Sequence, residues 1–122
     1  MTKIAIIEDD SVINQMYRMK FEADGFEVQV ADNGKSGVEM VESFGPDIIL
    51  LDIQMPEMPG DEALRKIRAQ PWGAQIPVII LTNLGAEESP KALKELGVHA
   101  YIVKAELTPS QVVAKVKDAL GL

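Results

Sequence analysis

Side chains that can do chemistry gather at a few points of this 122-residue chain. Glu8, Asp9 and Asp10 follow the apolar run Ile4–Ile7, and Asp52 follows Ile48–Leu51. Thr82 and Asn83 come after Val78–Leu81, and Lys104 after Ala100–Val103. Clustered carboxylates do not all stay ionised without a counter-charge. A hard divalent cation with oxygen ligands is one solution, and Mg²⁺ typically takes a few carboxylates and keeps several waters. A carboxylate near such a metal is also a nucleophile toward phosphorus. Metal, ammonium and hydroxyl together stabilise the equatorial oxygens of a phosphoryl group in transfer. The set points to that chemistry only if the fold collects it in one place.

The elements that must do the collecting alternate in period. Strands are expected at Lys3–Ile7, Glu27–Ala31, Asp47–Leu51, Val78–Leu81 and Ala100–Val103. The runs "DIILLD" and "VIILT" are almost continuously apolar, as strands buried on both faces should be. Helices are expected between them. The first carries Ile13, Met16, Tyr17 and Phe21 on one stripe and stops at Gly25. The second carries Val38, Val41 and Phe44 and ends at Gly45-Pro46; the third, Asp61 to about Ala69, buries Leu64 and Ile67. The fourth starts with Pro90 after Ser89 and ends at Gly97. In the fifth, Thr108 is the expected N-cap, Pro109 the first helical residue and Gln111 the capping-box partner.

Strict βα alternation over residues 1–122, with no repeat or linker, predicts one doubly wound α/β domain built on a parallel sheet with right-handed crossovers. Ligands of such sheets bind outside the carboxyl ends of the strands. Glu8, Asp9, Asp10, Asp52, Thr82 and Lys104 all fall at those ends. Asp52 follows a central strand and is the best nucleophile; the neighbouring acids are better placed as metal ligands.

Taken singly, each residue has a plainer explanation. Asp10 before Ser11 is a good cap for the first helix. Glu8 and Asp9 suit a solvated strand end, Asp52 suits the turn-rich "DIQMPEMPG", Thr82 a strand and Lys104 a surface. Their coincidence at one rim is what argues otherwise, since independent causes would scatter them.

Composition excludes several function classes. At 47% hydrophobic and 25% charged the chain is ordinary for a globular domain and long enough to bury a core without staples. It has no cysteine for a disulfide framework. No apolar run approaches the ~20 residues of a membrane span, and no signal peptide opens the chain, so a cytoplasmic location is expected. A net charge of −7 with scattered basic residues argues against direct nucleic-acid binding. It leaves cations, and basic patches on other proteins, as partners.

The acidic pair, the Asp in "LLDIQMPEMPG", the Thr in "VIILTN" and the Lys in "AYIVK" together resemble the receiver domain of two-component response regulators. The separations fit the family, 30 residues from Asp52 to Thr82 and 22 from Thr82 to Lys104, and the match covers essentially the whole chain. The resemblance implies a flavodoxin-like (βα)5 fold of strand order 2-1-3-4-5. It implies that Asp52 accepts a phosphoryl group from phosphohistidine on a histidine kinase or phosphotransfer protein, so that the chain is a phosphoacceptor signalling domain rather than a conventional enzyme. Mg²⁺ would be held by Asp9, Asp52 and the backbone carbonyl of Gln54, with Glu8 acting through water. Thr82 and Lys104 would bind phosphoryl oxygens. Tyr101 would change rotamer as Thr82 moves, altering the surface of helix four, strand five and helix five toward an output protein or domain, with dimerisation on phosphorylation as one form of output. A new doubly charged group attracting a hydroxyl and an ammonium gives such a switch its logic. Gly60 is expected to serve only the start of the third helix, and Met55 and Pro56 only to shape the loop.

Two departures from the family pattern stand out. Ala105 replaces the usual Pro after the Lys; a cis bond there would cost about 3 kcal/mol, so a trans bond and a different setting of Lys104 are expected. Asn83 is bulkier than the small residue often found after the Thr, narrowing access.

Other readings fit less well. His99, the only histidine, stands in a turn entering a strand rather than on a helical face, so it is no phosphohistidine carrier. A mononucleotide binder of this topology would need a phosphate-cradling loop where "EDDS" offers repulsion. A haloacid-dehalogenase-type phosphatase would need a second Asp where Gln54 stands. The remaining alternative is a receiver-fold module that binds a partner without being phosphorylated. The last predicted helix ends the sequence, which suits a stand-alone regulator or an excised receiver equally.

Overall fold

In the parallel sheet each strand presents alternate residues to opposite faces, and both faces are covered. The computed structural model describes residues 1–55, 58–83 and 92–122, with Ala92 and Lys94 as backbone only. The strands are β1 (Lys3–Ile7), β2 (Glu27–Ala31), β3 (Ile48–Leu51), β4 (Val78–Thr82) and β5 (Ala100–Val103). All pairs are parallel and the order is β2-β1-β3-β4-β5, as expected. Ile4 pairs with Val28 on one side and Ile48 on the other, and Leu51 pairs with Ile80.

The period of two divides the core. Ile4, Ile6, Ile48, Leu50, Ile79 and Leu81 pack under α1 (Ser11–Ala23) and α5 (Pro109–Leu120). Ala5, Ile7, Ile49, Leu51, Val78 and Ile80 pack under α2 (Gly34–Phe44), α3 (Gly60–Arg68) and the described part of α4 (Ala92–Glu95). Strands with both faces buried explain the near-continuous apolar runs.

Local chemistry sets the helix ends. The Asp10 carboxylate accepts from the Val12 and Ile13 N–H groups and caps α1. Asn33 caps α2 by accepting from the Ser36 N–H. Thr108 and Gln111 form the expected capping box with Pro109 at the helix start. Gly25 and Gly45 both adopt positive φ just beyond their helices, where a Cβ would be strained. The predicted start of the fourth helix at Ser89-Pro90 lies outside the described residues.

Several boundaries differ from the sequence reading. β3 starts at Ile48; Asp47 before it accepts the Lys3 N–H on its carboxylate at 2.8 Å. β4 runs on through Thr82, which pairs with Val103. α3 begins one residue early, at Gly60. Met16 leaves the predicted buried stripe: it is 40% exposed, while Asn14, Tyr17 and Phe21 are the buried residues of α1. Residues 14, 17 and 21 follow the helical spacing better than 16 does.

At the amino-terminal edge of the sheet, Arg68 fastens three segments together. Its Nη1 donates to the Gly73 and Ile76 carbonyls at 2.9 and 2.7 Å, and its Nε to the Leu96 carbonyl at 2.8 Å. Its Nη2 reaches the Gly97 carbonyl at 3.3 Å.

Candidate functional site

At the opposite edge, the carboxyl ends of β1, β3, β4 and β5 bring the predicted residues together. Glu8 is the residue after β1 and only 1% exposed; Asp52 is the residue after β3 and 3% exposed. Asp9 is exposed beside them. Among the described residues these three form the one carboxylate group with metal-ligand spacing, each offering an oxygen within 4.8 Å of the others. Asp10, the fourth acid, is turned away to cap α1.

Lys104 supplies the positive charge. It opens a short 3₁₀ turn, Lys104–Glu106, directly after β5. Its Nζ lies 2.9 Å from Glu8 Oε1, 2.8 Å from Glu8 Oε2 and 3.3 Å from Asp52 Oδ2. No cis peptide bond occurs among the described residues, so the bond before Ala105 is trans, and the ammonium still spans both carboxylates. Asp52 Oδ1 accepts from the Gln54 N–H at 3.1 Å. Glu8 Oε1 also accepts from the Asp10 N–H at 3.2 Å.

One ammonium is not enough for this much buried carboxylate. Burial is the main force on Glu8, pushing its carboxyl up to about 7; hydrogen bonding to Lys104 opposes this and the Asp52 charge adds to it. Asp52 is raised for the same leading reason, against the Gln54 N–H and Lys104. Burial alone would lower Lys104, but its bonds to Glu8 and the charge of Asp52 outweigh that and raise it. Glu8 Oε2 is buried, with the Lys104 ammonium at 2.8 Å as its ion-pair partner. An all-oxygen donor set in which two buried carboxylates share one ammonium fits a hard divalent cation.

The remaining predicted residues flank this cluster. Thr82 is fully buried at the end of β4. Asn83 is exposed just beyond it. Tyr101 is half-buried on β5, packed on the cluster that includes Leu93, and its hydroxyl is buried without a partner among the described residues. His99 is exposed, with its N–H bonded to the Val78 carbonyl at the other edge. Met55 is buried in the core; Pro56 lies outside the described residues.

Two contributors escaped the sequence reading. Gly60 does more than start α3. A Cβ built there would strike the Asp52 carbonyl oxygen and approach Ile53 Cα within 2.6 Å. Glycine lets the amino end of α3 press against the backbone that carries Asp52. Asn14 is the other, buried on α1 with its amide bonded to the Glu8 and Ala31 carbonyls. The available signal was a polar residue in register with Tyr17 and Phe21 on an apolar helical face.

Fold and site together define a receiver domain: the chain belongs to the response regulator receiver domain family, whose model matches residues 4–117. It is thus a signalling domain of the two-component type. It is 33% identical over 118 residues to the phosphate regulon transcriptional regulatory protein PhoB of Rhizobium meliloti, covering 97% of this chain and 52% of that protein. It is 39% identical to a protein-glutamate methylesterase/protein-glutamine glutaminase of Rhodospirillum rubrum, covering 96% of this chain and 32% of that one. The chain therefore spans about half the length, or less, of these two relatives. Among solved structures, a CheY-like receiver domain from Methanospirillum hungatei superposes with a TM-score of 0.90 at 27% identity, covering 99% of this chain and 94% of that one. The receiver domain of a Pseudomonas aeruginosa sensor histidine kinase superposes at 0.88 with 25% identity, covering 99% and 98%; its structure holds a magnesium ion in the active site cleft. No helix among the described residues is long and apolar enough to cross a membrane.

Proposed function

We propose that Asp52 is the phosphoacceptor of a two-component receiver, charged by phosphohistidine on a histidine kinase or phosphotransfer protein. One observation carries this reading: a nearly buried Asp52 with Lys104 at 3.3 Å and two further carboxylates within metal-ligand reach. In the transfer an Asp52 carboxylate oxygen attacks phosphorus in line. The P–N bond breaks, its electron pair returns to the imidazole, and an acyl phosphate remains on Asp52.

The chain's own residues would prepare this step. Glu8, Asp9, Asp52 and the Gln54 carbonyl would hold Mg²⁺, which supplies charge neutralisation to the phosphoryl oxygens. Glu8 fits a water-mediated role, since Lys104 already occupies its oxygens. Lys104 moves from bridging carboxylates to pairing with a phosphoryl oxygen. Thr82, at the next strand end, offers its hydroxyl to another. Its shift frees space into which Tyr101 turns, carrying the change to the surface of α4, β5 and α5. That surface would meet the output protein or domain, or a second receiver. The acidic balance fits protein partners rather than DNA, and a salt-dependent mobility shift of DNA by this chain would contradict that.

The test is intact mass after incubation with Mg²⁺ and acetyl phosphate, beside Asp52→Ala. A gain of one phosphoryl group in the wild type alone is expected. If neither phosphoryl gain nor Mg²⁺ binding occurs, the chain is a passive binding module instead.

A further inference from the structure

We propose that Asn14 is a positioning residue for the acidic site: it ties the ends of β1 and β2 together and holds the backbone from which Glu8 and Asp9 project. The metal half of this proposal rests on the phosphoacceptor reading. The tether half stands on geometry alone.

Asn14 is 4% exposed and reaches down from the first turns of α1. Its Nδ2 donates to the Glu8 carbonyl at 2.9 Å and to the Ala31 carbonyl at 3.2 Å. The second carbonyl also accepts from the Glu8 N–H at 3.0 Å. Glu8 is thus held through its N–H and its carbonyl in one small ring of bonds. β1 ends at Ile7, so no sheet ladder fixes the Glu8 carbonyl. The Asn14 N–H donates to the Asp10 carbonyl at 2.8 Å, which closes the segment from its other side.

The choice of residue agrees with this role. Two amide hydrogens serve two carbonyls, whereas a carboxylate would set acceptor against acceptor and add charge beside Glu8. A leucine would fill the volume, take the side-chain donor from the Glu8 carbonyl and leave the Ala31 carbonyl with the Glu8 N–H alone. Asn14 Oδ1 is itself buried without a partner. A buried amide bearing that cost is poorly explained by packing alone. Hydrogen bonds that orient metal ligands typically change metal affinity about 10–100-fold when removed.

Asn14→Leu, with the core variant Val116→Ala as a control for general destabilisation, separates the possibilities. Amide hydrogen exchange is followed in the metal-free proteins, and Mg²⁺ affinity by calorimetry well below melting. Exchange at Glu8 and Asp10 should rise about tenfold in Asn14→Leu relative to Leu50 and Ile80, and Mg²⁺ affinity should fall about tenfold. Val116→Ala should change neither ratio. If exchange at Glu8 and Asp10 keeps pace with the rest of the sheet, the tether is refuted. Selective exchange with Mg²⁺ affinity within about twofold of wild type refutes the positioning role. Selective exchange in a protein whose wild type binds no Mg²⁺ confirms the tether and overturns the phosphoacceptor reading instead. Should Asn14→Leu fail to fold, Asn14→Ser keeps one donor and is read by the same criteria, with smaller changes.

Discussion

The two edges of the sheet treat buried charge in opposite ways. At the amino-terminal edge Arg68 spreads its guanidinium over four backbone carbonyls, from Gly73, Ile76, Leu96 and Gly97. Burial lowers its pKa, yet its donors are well supplied with acceptors. At the carboxyl-terminal edge the buried Glu8 and Asp52 share one ammonium, and a third carboxylate, Asp9, stands exposed beside them. A planar fork matched to carbonyls is a structural use of charge. A surplus of carboxylate beyond its counter-charge is a poised one, stable only when something else arrives. The contrast teaches how to tell the two apart: by saturation rather than by burial.

The largest effects should follow from removing the charge at each edge. Asp52→Asn should abolish phosphoryl labelling while raising the stability of the metal-free protein, because a carboxylate that burial disfavours is gone. Equal or lower stability by urea titration would break the contrast at this edge. Arg68→Ala should do the reverse. It should cost about 2–4 kcal/mol, since several carbonyls lose their donor, and leave labelling of the folded fraction unchanged. A cost below about 1 kcal/mol would mean that solvent replaces the guanidinium without loss. Arg68→Lys, an ammonium without the fork, should recover only part of the difference.

A smaller effect is expected from pH. Glu8 sits at about 7 in the fold against an ordinary 4.5, so the fold favours its protonated form. That contribution is complete below about 4.5 and is lost as pH rises through about 7, with an upper bound of about 3 kcal/mol. Asp52 acts in the same direction, and Lys104 stays charged throughout. Metal-free stability should therefore fall from pH 5 to pH 7.5, whereas Mg²⁺, which needs the ionised carboxylates, should bind more tightly over the same interval. A metal-free stability that rises with pH would show that Lys104 satisfies the cluster after all.

Much of this was legible in the residues because it rests on local signals. Period-two and period-three-to-four patterns located the five strands and the helices. The strand ends then followed, and with them the gathering of Glu8, Asp9, Asp52, Thr82 and Lys104. What escaped depended on distances between segments far apart in the chain. Nothing around Gly60 announces that α3 must touch the Asp52 carbonyl, and nothing around Arg68 announces carbonyls 28 and 29 residues further on. Met16 was misplaced because an apolar residue at a permissive spacing looks like core until the neighbouring elements are in place. Asn14 announces only that a polar side chain on an apolar face needs a partner; that the partners are the Glu8 and Ala31 carbonyls depends on where β2 lies.

The acidic run itself sharpens the comparison at the scale of a single side chain. Asp9 and Asp10 are adjacent and both exposed, yet only Asp9 faces the site; Asp10 accepts from the Val12 and Ile13 N–H groups at 3.0 and 3.2 Å. Asp10→Ala should therefore cost about 1 kcal/mol of stability, and Asp10→Ser, which keeps an accepting oxygen, only a few tenths. Neither should weaken Mg²⁺ binding by more than about threefold, the loss of one distant surface charge. Asp9→Ala should show the mirror pattern, with little stability lost and most Mg²⁺ affinity gone. Urea titration and calorimetry on the three variants decide the point. If Asp10→Ala weakened Mg²⁺ binding as much as Asp9→Ala, the carboxylate at the helix start would be serving the metal as well as the cap, and the division of labour along the run would fail.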